Sequence, residues 1–322
     1  MTTSSPADRQ PGSVSAVASV AAASERPEDR RPSVLTVLTL VGATAGWGVG
    51  ATMTRLAAPE VAPLTLTSLR FGLGALLLLA ILVWRGESAV LPARRDLPPL
   101  LVLGALGVTA FGALHTFGLQ LTSAAEGTLI QGLSPLLTLL LASRLVGEVV
   151  RRAQVAGGLV ALGGLAVLLI GGSAAWGGGP DRLRGDLVLI GACLCWTAYN
   201  VSVRLLAGRI RVDRSSAHAL LVGTALLLPL VVWEPTRVPL VSFSLTTWLA
   251  LAYLAVVSTC LAYIWWNDGI RTIGAGRAAM FSFVGPVAAM LSAIPILGEW
   301  PSPPQLVGGG LILFGLFIAN RR

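Results

Sequence analysis

Trp196, Tyr199, Asn200 and Val203 stand at i, i+3, i+4 and i+7 within the run GACLCWTAYNVSVRLLAG, Gly191 to Gly208. On a helix they share one face. An indole, a phenol and an amide on one face make a polar aromatic wall. In hydrocarbon an unsatisfied amide is costly, so the face is expected to turn into a bundle. There it either lines a solute path or supplies interhelical hydrogen bonds. About half a chain earlier, GATAGWGVGATMTRLAAP repeats the glycine, the tryptophan and the arginine. Its equivalent face reads Trp47, Gly50, Ala51 and Thr54, with small residues where Tyr199 and Asn200 stand. Gln131, Tyr263 and Ser282 add candidate polar groups for the same site.

A second set of residues could couple or gate. Arg70, His115 and Glu126 are ionisable groups in or near apolar runs, and such groups are functional candidates by default. Arg70 either snorkels to the interface or attracts an anion at a cavity mouth. His115, whose unperturbed pKa is about 6.5, is the first candidate for proton coupling and Glu126 the second. Glu126 and Asp268 lie near helix ends, where solvation is the alternative. Pro135 and Pro286 are expected mid-helix, each removing a backbone hydrogen bond as a kink or hinge. Glu148 and Glu299 are expected at helix ends, as caps or loop ion pairs.

Other chemistries find no support. Cys193, Cys195 and Cys260 read as packing thiols, and two histidines cannot make a His-based metal site. No zinc-protease or nucleophile-elbow motif appears, so neither catalytic residue nor cofactor is expected. The chain has no lysine, which removes the phosphate-binding G-x-x-x-x-G-K-[ST] loop of an ATP-driven pump.

The elements that position these residues are membrane spans. Hydrophobic residues make up 54% and charged residues 12% of the 322, a balance too apolar for a soluble chain. At about 20 residues per span, ten helices are predicted over 35–56, 65–84, 98–119, 124–143, 154–172, 186–206, 216–233, 246–266, 277–297 and 304–320. All 23 basic residues are arginines, and they cluster in alternate loops. One set holds Arg85, Arg94 and Arg95, then Arg144, Arg151 and Arg152, then Arg204, Arg209, Arg211 and Arg214, then Arg271 and Arg277. Both tails join it through Arg26, Arg30, Arg31, Arg321 and Arg322. The opposite loops hold little beyond Arg55, Arg182, Arg184 and Arg237. This is the positive-inside pattern, so the charge marks orientation in a bilayer and not a nucleic-acid partner. It predicts an inner-membrane protein with both termini cytoplasmic. Residues 1–33, rich in Ser, Ala and Pro, are expected to form a disordered cytoplasmic tail.

The chain also repeats itself. Gly42, Ala43, Trp47, Arg55 and Leu56 match Gly191, Ala192, Trp196, Arg204 and Leu205 at an offset of 149. Gly118, Ala124, Pro135, Gly147, Glu148, Gln154 and Gly157 match Gly269, Ala275, Pro286, Gly298, Glu299, Gln305 and Gly308 at 151. Five spans separate each match, so the second copy enters the membrane from the opposite side, a pattern typical of transporters. Two repeats are predicted, 34–173 and 174–322. Gly42, Gly46 and Gly50, with Gly157, Gly164, Gly308 and Gly315, are expected to be ridges for close helix packing.

The matched residues carry a resemblance. Gly46–Trp47, Arg70–Phe71, LSPLLTLLLASRLVGE from Leu133 to Glu148, FVGPVAAMLSAIPILGE from Phe283 to Glu299, and the C-terminal QLVGGGLILFGL resemble the EamA-type members of the drug/metabolite transporter superfamily. The resemblance spans roughly residues 35–320. It implies a bundle of ten helices with a central cavity lined by helices 1, 3, 4, 6, 8 and 9. The expected function is secondary export of a small metabolite or drug-like solute by alternating access. A non-transporting receptor or scaffold and a membrane-embedded enzyme are the other two classes.

Overall fold

The computed structural model describes residues 32–86, 92–121, 124–170, 181–234, 239 and 242–321. Among these the chain is helical, with ten helices long and apolar enough to span a bilayer. They are α1 (Val34–Ala57), α2 (Pro63–Trp84), α3 (Arg94–Leu121), α4 in two pieces (Ala124–Gln131 and Ser134–Leu145) and α5 (Arg152–Ile170). The second five are α6 (Arg182–Leu205), α7 (Val212–Val232), α8 (Leu245–Ile273), α9 (Ala275–Leu297) and α10 (Pro303–Asn320). Most of the tail expected to be disordered, residues 1–31, lies outside the described residues.

Two boundaries differ from the sequence reading in an instructive way. α3 opens on the turn Arg94–Asp96, and α8 runs on through Asn267 and Arg271 to Ile273. Hydropathy alone ends the eighth span earlier because Asn267 and Arg271 are polar. Both instead find partners inside the bundle, Asn267 in Tyr199 and Ser216 and the terminal nitrogens of Arg271 in Ile210 and Ser215.

Small residues set which helices touch. A Cβ on Gly157 or Gly164 of α5 would strike the backbone of α10 at Gly315 and Ala319 or at Gly308 and Ile312, and the reciprocal glycines meet α5. The two backbones therefore pack in direct contact, as the glycine ridges predict. Gly48 likewise admits the Gly285 carbonyl of α9 against α1, and Gly42 lies under the Trp265 ring of α8. On the outer surface of the bundle, Leu73, Leu76, Leu228, Leu249, Phe314 and Phe317 are exposed. In a bilayer these face acyl chains, so their exposure carries no penalty.

Helices α3 and α8 each contain a π-helical stretch, Ala105–Ala110 and Leu254–Leu261. Each widened turn displaces carbonyls from the regular ladder and leaves them open to side-chain donors. Helices α4 and α9 are interrupted at matching depth: α4 breaks between Gln131 and Ser134, and α9 passes through a 3-10 turn at Met280–Phe283. The sequence reading placed Pro135 and Pro286 mid-helix, at the cost of a hydrogen bond each. Instead, each lies in the first turn of the segment after its break, where the missing N–H would lack an intrahelical partner anyway.

Candidate solute-binding site

The face Trp196–Tyr199–Asn200–Val203 turns into the bundle, as its spacing predicts: Tyr199, Asn200 and Val203 are buried and Trp196 is half-buried. It meets Trp47 of α1, whose ring lies 5.5 Å from Trp196, 5.9 Å from Tyr263 and 5.2 Å from Trp266, edge to face. Trp196 stacks on Tyr199 at 5.1 Å and on Trp266 at 6.2 Å. Phe111 of α3 closes one side at 5.2 Å from Trp196, and Phe71 of α2 another at 5.8 Å from Tyr263. Five helices thus contribute to one aromatic cluster.

Hydrogen bonds fix the rings. Trp47 Nε1 donates to the Ser258 carbonyl at 2.7 Å, and Tyr263 Oη donates to the Gly107 carbonyl at 3.3 Å. Both acceptors belong to π-helical stretches, so the irregular backbone supplies what the aromatic donors need. Gly107 lies directly under the Tyr199 ring, and Gly50 against the Ser258 hydroxyl. By the repeat offsets, Gly107 corresponds to Ser258 and Tyr199 to Gly50. The large residue therefore sits on α6 in one half and its space is opened by glycine on α3, while the other half holds small residues on both sides.

Asn200 is fully buried and accepts from Trp266 Nε1 at 2.9 Å, while its own Nδ2 has no hydrogen-bond partner. Tyr199 Oη donates to Asn267 Oδ1 at 2.9 Å, and Asn267 Nδ2 donates to Ser216 Oγ of α7 at 2.9 Å. Trp266 and Asn267 were absent from the sequence-based candidates. The signal was present: Tyr263, Trp266, Asn267 and Ile270 repeat the i, i+3, i+4, i+7 spacing of the α6 face.

The remaining candidates divide. Trp47, Trp196, Tyr199, Asn200 and Tyr263 come together. Gln131 ends the first piece of α4 with its Oε1 buried and unpartnered, and Ser282 lies in the 3-10 turn of α9. Neither is hydrogen-bonded to the cluster among the described residues. His115 reaches it indirectly, 5.5 Å from the Phe111 ring. Arg70 lies beside it, its guanidinium 4.5 Å from the Phe71 ring centre. Glu126 lies within the described helix α4, but its side chain is outside the described residues.

Two ion pairs stand at opposite ends of the bundle. At the end carrying both termini, Glu148 lies 3.3 Å from Arg204 Nε and accepts from Ala275 N at 2.7 Å and Gly276 N at 2.9 Å. Those side chains are only 5% and 15% exposed. At the other end, Arg55 donates to both Glu299 oxygens, at 2.9 and 2.7 Å, with side chains 60% and 51% exposed. Arg55 and Arg204 are matched by one repeat offset, Glu148 and Glu299 by the other. The Arg55 hydrogen bonds hold the Glu299 carboxyl below the usual carboxylate range.

A bundle of apolar spans with an aromatic and amide-lined interior, broken helices at mid-depth and a reciprocal ion pair at each end defines a membrane transporter. The chain belongs to the EamA-like transporter family, which it matches over residues 34–170 and 183–321. It is 30% identical to the aromatic amino acid exporter YddG of Ancylobacter novellus, over 88% of this chain and 96% of that protein. It is 27% identical to a probable terminal-alkyne amino-acid exporter of Streptantibioticus cattleyicolor, over 90% of this chain and 92% of that one. A solved crystal structure superimposes with a TM-score of 0.78 at 28% identity, covering 88% of this chain and 96% of the other. These findings make the protein a multi-pass membrane transporter of the drug/metabolite transporter superfamily, not an enzyme.

Proposed function

We propose that the protein exports small amino-acid-like metabolites with an aromatic or bulky apolar side chain across the bacterial inner membrane, its termini in the cytoplasm. The observation that carries the reading is the aromatic cluster of Trp47, Trp196, Tyr199, Tyr263 and Trp266, with an unpartnered Asn200 amide donor beside it. Rings offer stacking area to an apolar side chain, and the amide offers a donor to its polar end. The names of similar proteins, an aromatic amino acid exporter and a terminal-alkyne amino-acid exporter, support the same solute class.

Alternating access between two inverted five-helix repeats, 34–173 and 174–322, suits the paired positions. In this reading the Glu148–Arg204 pair is a gate at the cytoplasmic end and Arg55–Glu299 its counterpart on the other side, supported by their matched positions in the two repeats. Solute movement runs down a gradient or with an ion, since a chain without lysine carries no Walker-type phosphate loop. His115 is the first candidate for proton coupling and Glu126 the second.

The test is efflux of labelled phenylalanine, and of the wider metabolite pool, from proteoliposomes and from overexpressing cells. Flux is expected without nucleotide and is expected to fall at least about tenfold in Trp196→Ala, in line with the loss of an aromatic anchor at the centre of the ring cluster. Any dependence on a pH gradient weakens in His115→Gln. An absolute need for ATP with the purified chain, or full flux in Trp196→Ala, would overturn the proposal.

A further inference from the structure

Arg70 presents a physical problem that the aromatic cluster does not solve. It lies seven residues into α2, about 10 Å from that helix's end at 1.5 Å per residue. At that depth a guanidinium without a counter-charge is costly, and intramembrane arginines ordinarily pair with a carboxylate or with backbone carbonyls. Arg70 does neither. Its Nε is buried without a hydrogen-bond partner, and among the described residues no carboxylate forms an ion pair with it. The residue is half-buried, and its guanidinium rests on the Phe71 ring.

Its surroundings are basic and aromatic. Its charge acts on the Tyr263 hydroxyl and the His115 imidazole. His115 itself makes no hydrogen bond among the described residues. Phe71 joins Arg70 to Tyr263, and Phe111 joins His115 to Trp196, so both basic side chains flank the cluster. Trp47 lies ten residues from the end of α1, about 15 Å deep by the same rise. The Arg70 backbone position therefore lies about one helical turn nearer that surface than the Trp47 position.

We propose that Arg70 is the carboxylate anchor of the solute site: it binds the anionic end of the transported molecule while the cluster around Trp47 and Trp196 holds the apolar end. The inference rests on the proposed export of amino-acid-like solutes and narrows it to carboxylate-bearing ones. A planar guanidinium with free terminal nitrogens suits bidentate carboxylate recognition, and the apolar setting strengthens the pair. A phospholipid phosphate has the same chemistry and is the competing occupant.

The experiment measures equilibrium binding of three probes, L-phenylalanine, 3-phenylpropionate and L-phenylalaninamide, to the full chain in nanodiscs, with native mass spectrometry of retained lipid. Wild type is expected to bind both carboxylates about 10- to 100-fold tighter than the amide, the worth of a charge-assisted hydrogen bond. Arg70→Gln removes that preference and leaves phenylalaninamide affinity within about twofold. Arg70→Lys, which keeps the charge without the fork, retains part of it, and it serves if the Gln variant fails to fold. Equal wild-type affinity for acid and amide overturns the anchor but leaves aromatic recognition standing. So does a uniform loss for all three probes in Arg70→Gln. Loss of a bound phospholipid in Arg70→Gln with probe selectivity unchanged assigns the site to lipid and overturns it as well. Failure of all three probes to bind folded wild type overturns both the anchor and the proposed solute class.

Discussion

Asn200 and Trp266 hold each other in place: the amide oxygen takes the indole N–H, and both side chains are fully buried. In Asn200→Leu the side chain volume is roughly kept, but Trp266 Nε1 becomes a buried donor without a partner. That costs about 1–3 kcal/mol, and it frees the ring that Trp47 and Trp196 pack against. The expected outcome is a lower unfolding temperature in detergent together with reduced efflux at normal membrane abundance. Unchanged stability in this variant would mean that the Trp266 N–H finds another acceptor.

At the scale of elements, three glutamates cap helices that are distant in sequence. Glu148 accepts from the first N–H groups of α9, Glu234 from Leu64 N and Thr65 N of α2, and Glu60 from Ser244 N at the start of α8. Each carboxylate satisfies donors that a helix leaves orphaned and meets the positive end of its dipole. The Ser244 N–H accordingly holds the Glu60 carboxyl below its usual range. Glu148 is the most constrained. α8 and α9 are separated by Gly274 alone, at φ +94°, and a Cβ there would strike the Glu148 carboxylate. Glu148→Gln removes the charge opposite Arg204 and leaves that arginine buried without its carboxylate. Breaking a buried pair in this way costs about 3–5 kcal/mol. The matching change Glu299→Gln, at an exposed pair, costs about 0–1 kcal/mol. Chemical unfolding of the two variants side by side checks the contrast, and equal losses would refute it.

For the whole molecule, that contrast means one end carries a largely buried polar network and the other an exposed one. The buried network runs from Glu148 and Arg204 through the Arg271 carbonyl to Ser215, and α6 is joined to α7 nearby through Tyr199, Asn267 and Ser216. The exposed pair responds to pH in a defined direction. Because the Arg55 hydrogen bonds depress the Glu299 pKa below the usual carboxylate range, the contact is complete above that range and is lost as pH falls through the depressed value. The spacing of a spin-label pair placed near Ser292 and Thr52, which bond to each other at 2.8 Å just inside this pair, is expected to be constant from pH 7 to about pH 5 and to widen in stronger acid. Glu299→Gln should widen it already at neutral pH. A spacing that changes between pH 7 and 6 would point to a different titrating group.

The sequence by itself determined how many spans there are, which face of α6 turns inward and which positions in the two halves correspond. Span number follows from hydropathy and length, the inward face from helical periodicity, and the correspondence from constant offsets. These are properties of one segment or of two segments compared. Only the tertiary structure decided which partner each face meets. Trp266 and Asn267 had the same spacing as the α6 face, yet their engagement with Asn200 and Tyr199 depends on the rotation of α8. The π-helical stretch of α8 is bonded to α1 through Ser258, which donates to the Gly46 carbonyl, and that of α3 to α7 through Thr109, which donates to the Gly223 carbonyl; both contacts link different helices. Glu148 and Glu299 read alike in the sequence and differ in burial because one packs under the α8–α9 turn. Arg70 gives the sharpest case: its charge was legible, but the lack of a carboxylate partner among the described residues is a property of many neighbours at once, and no local pattern encodes it.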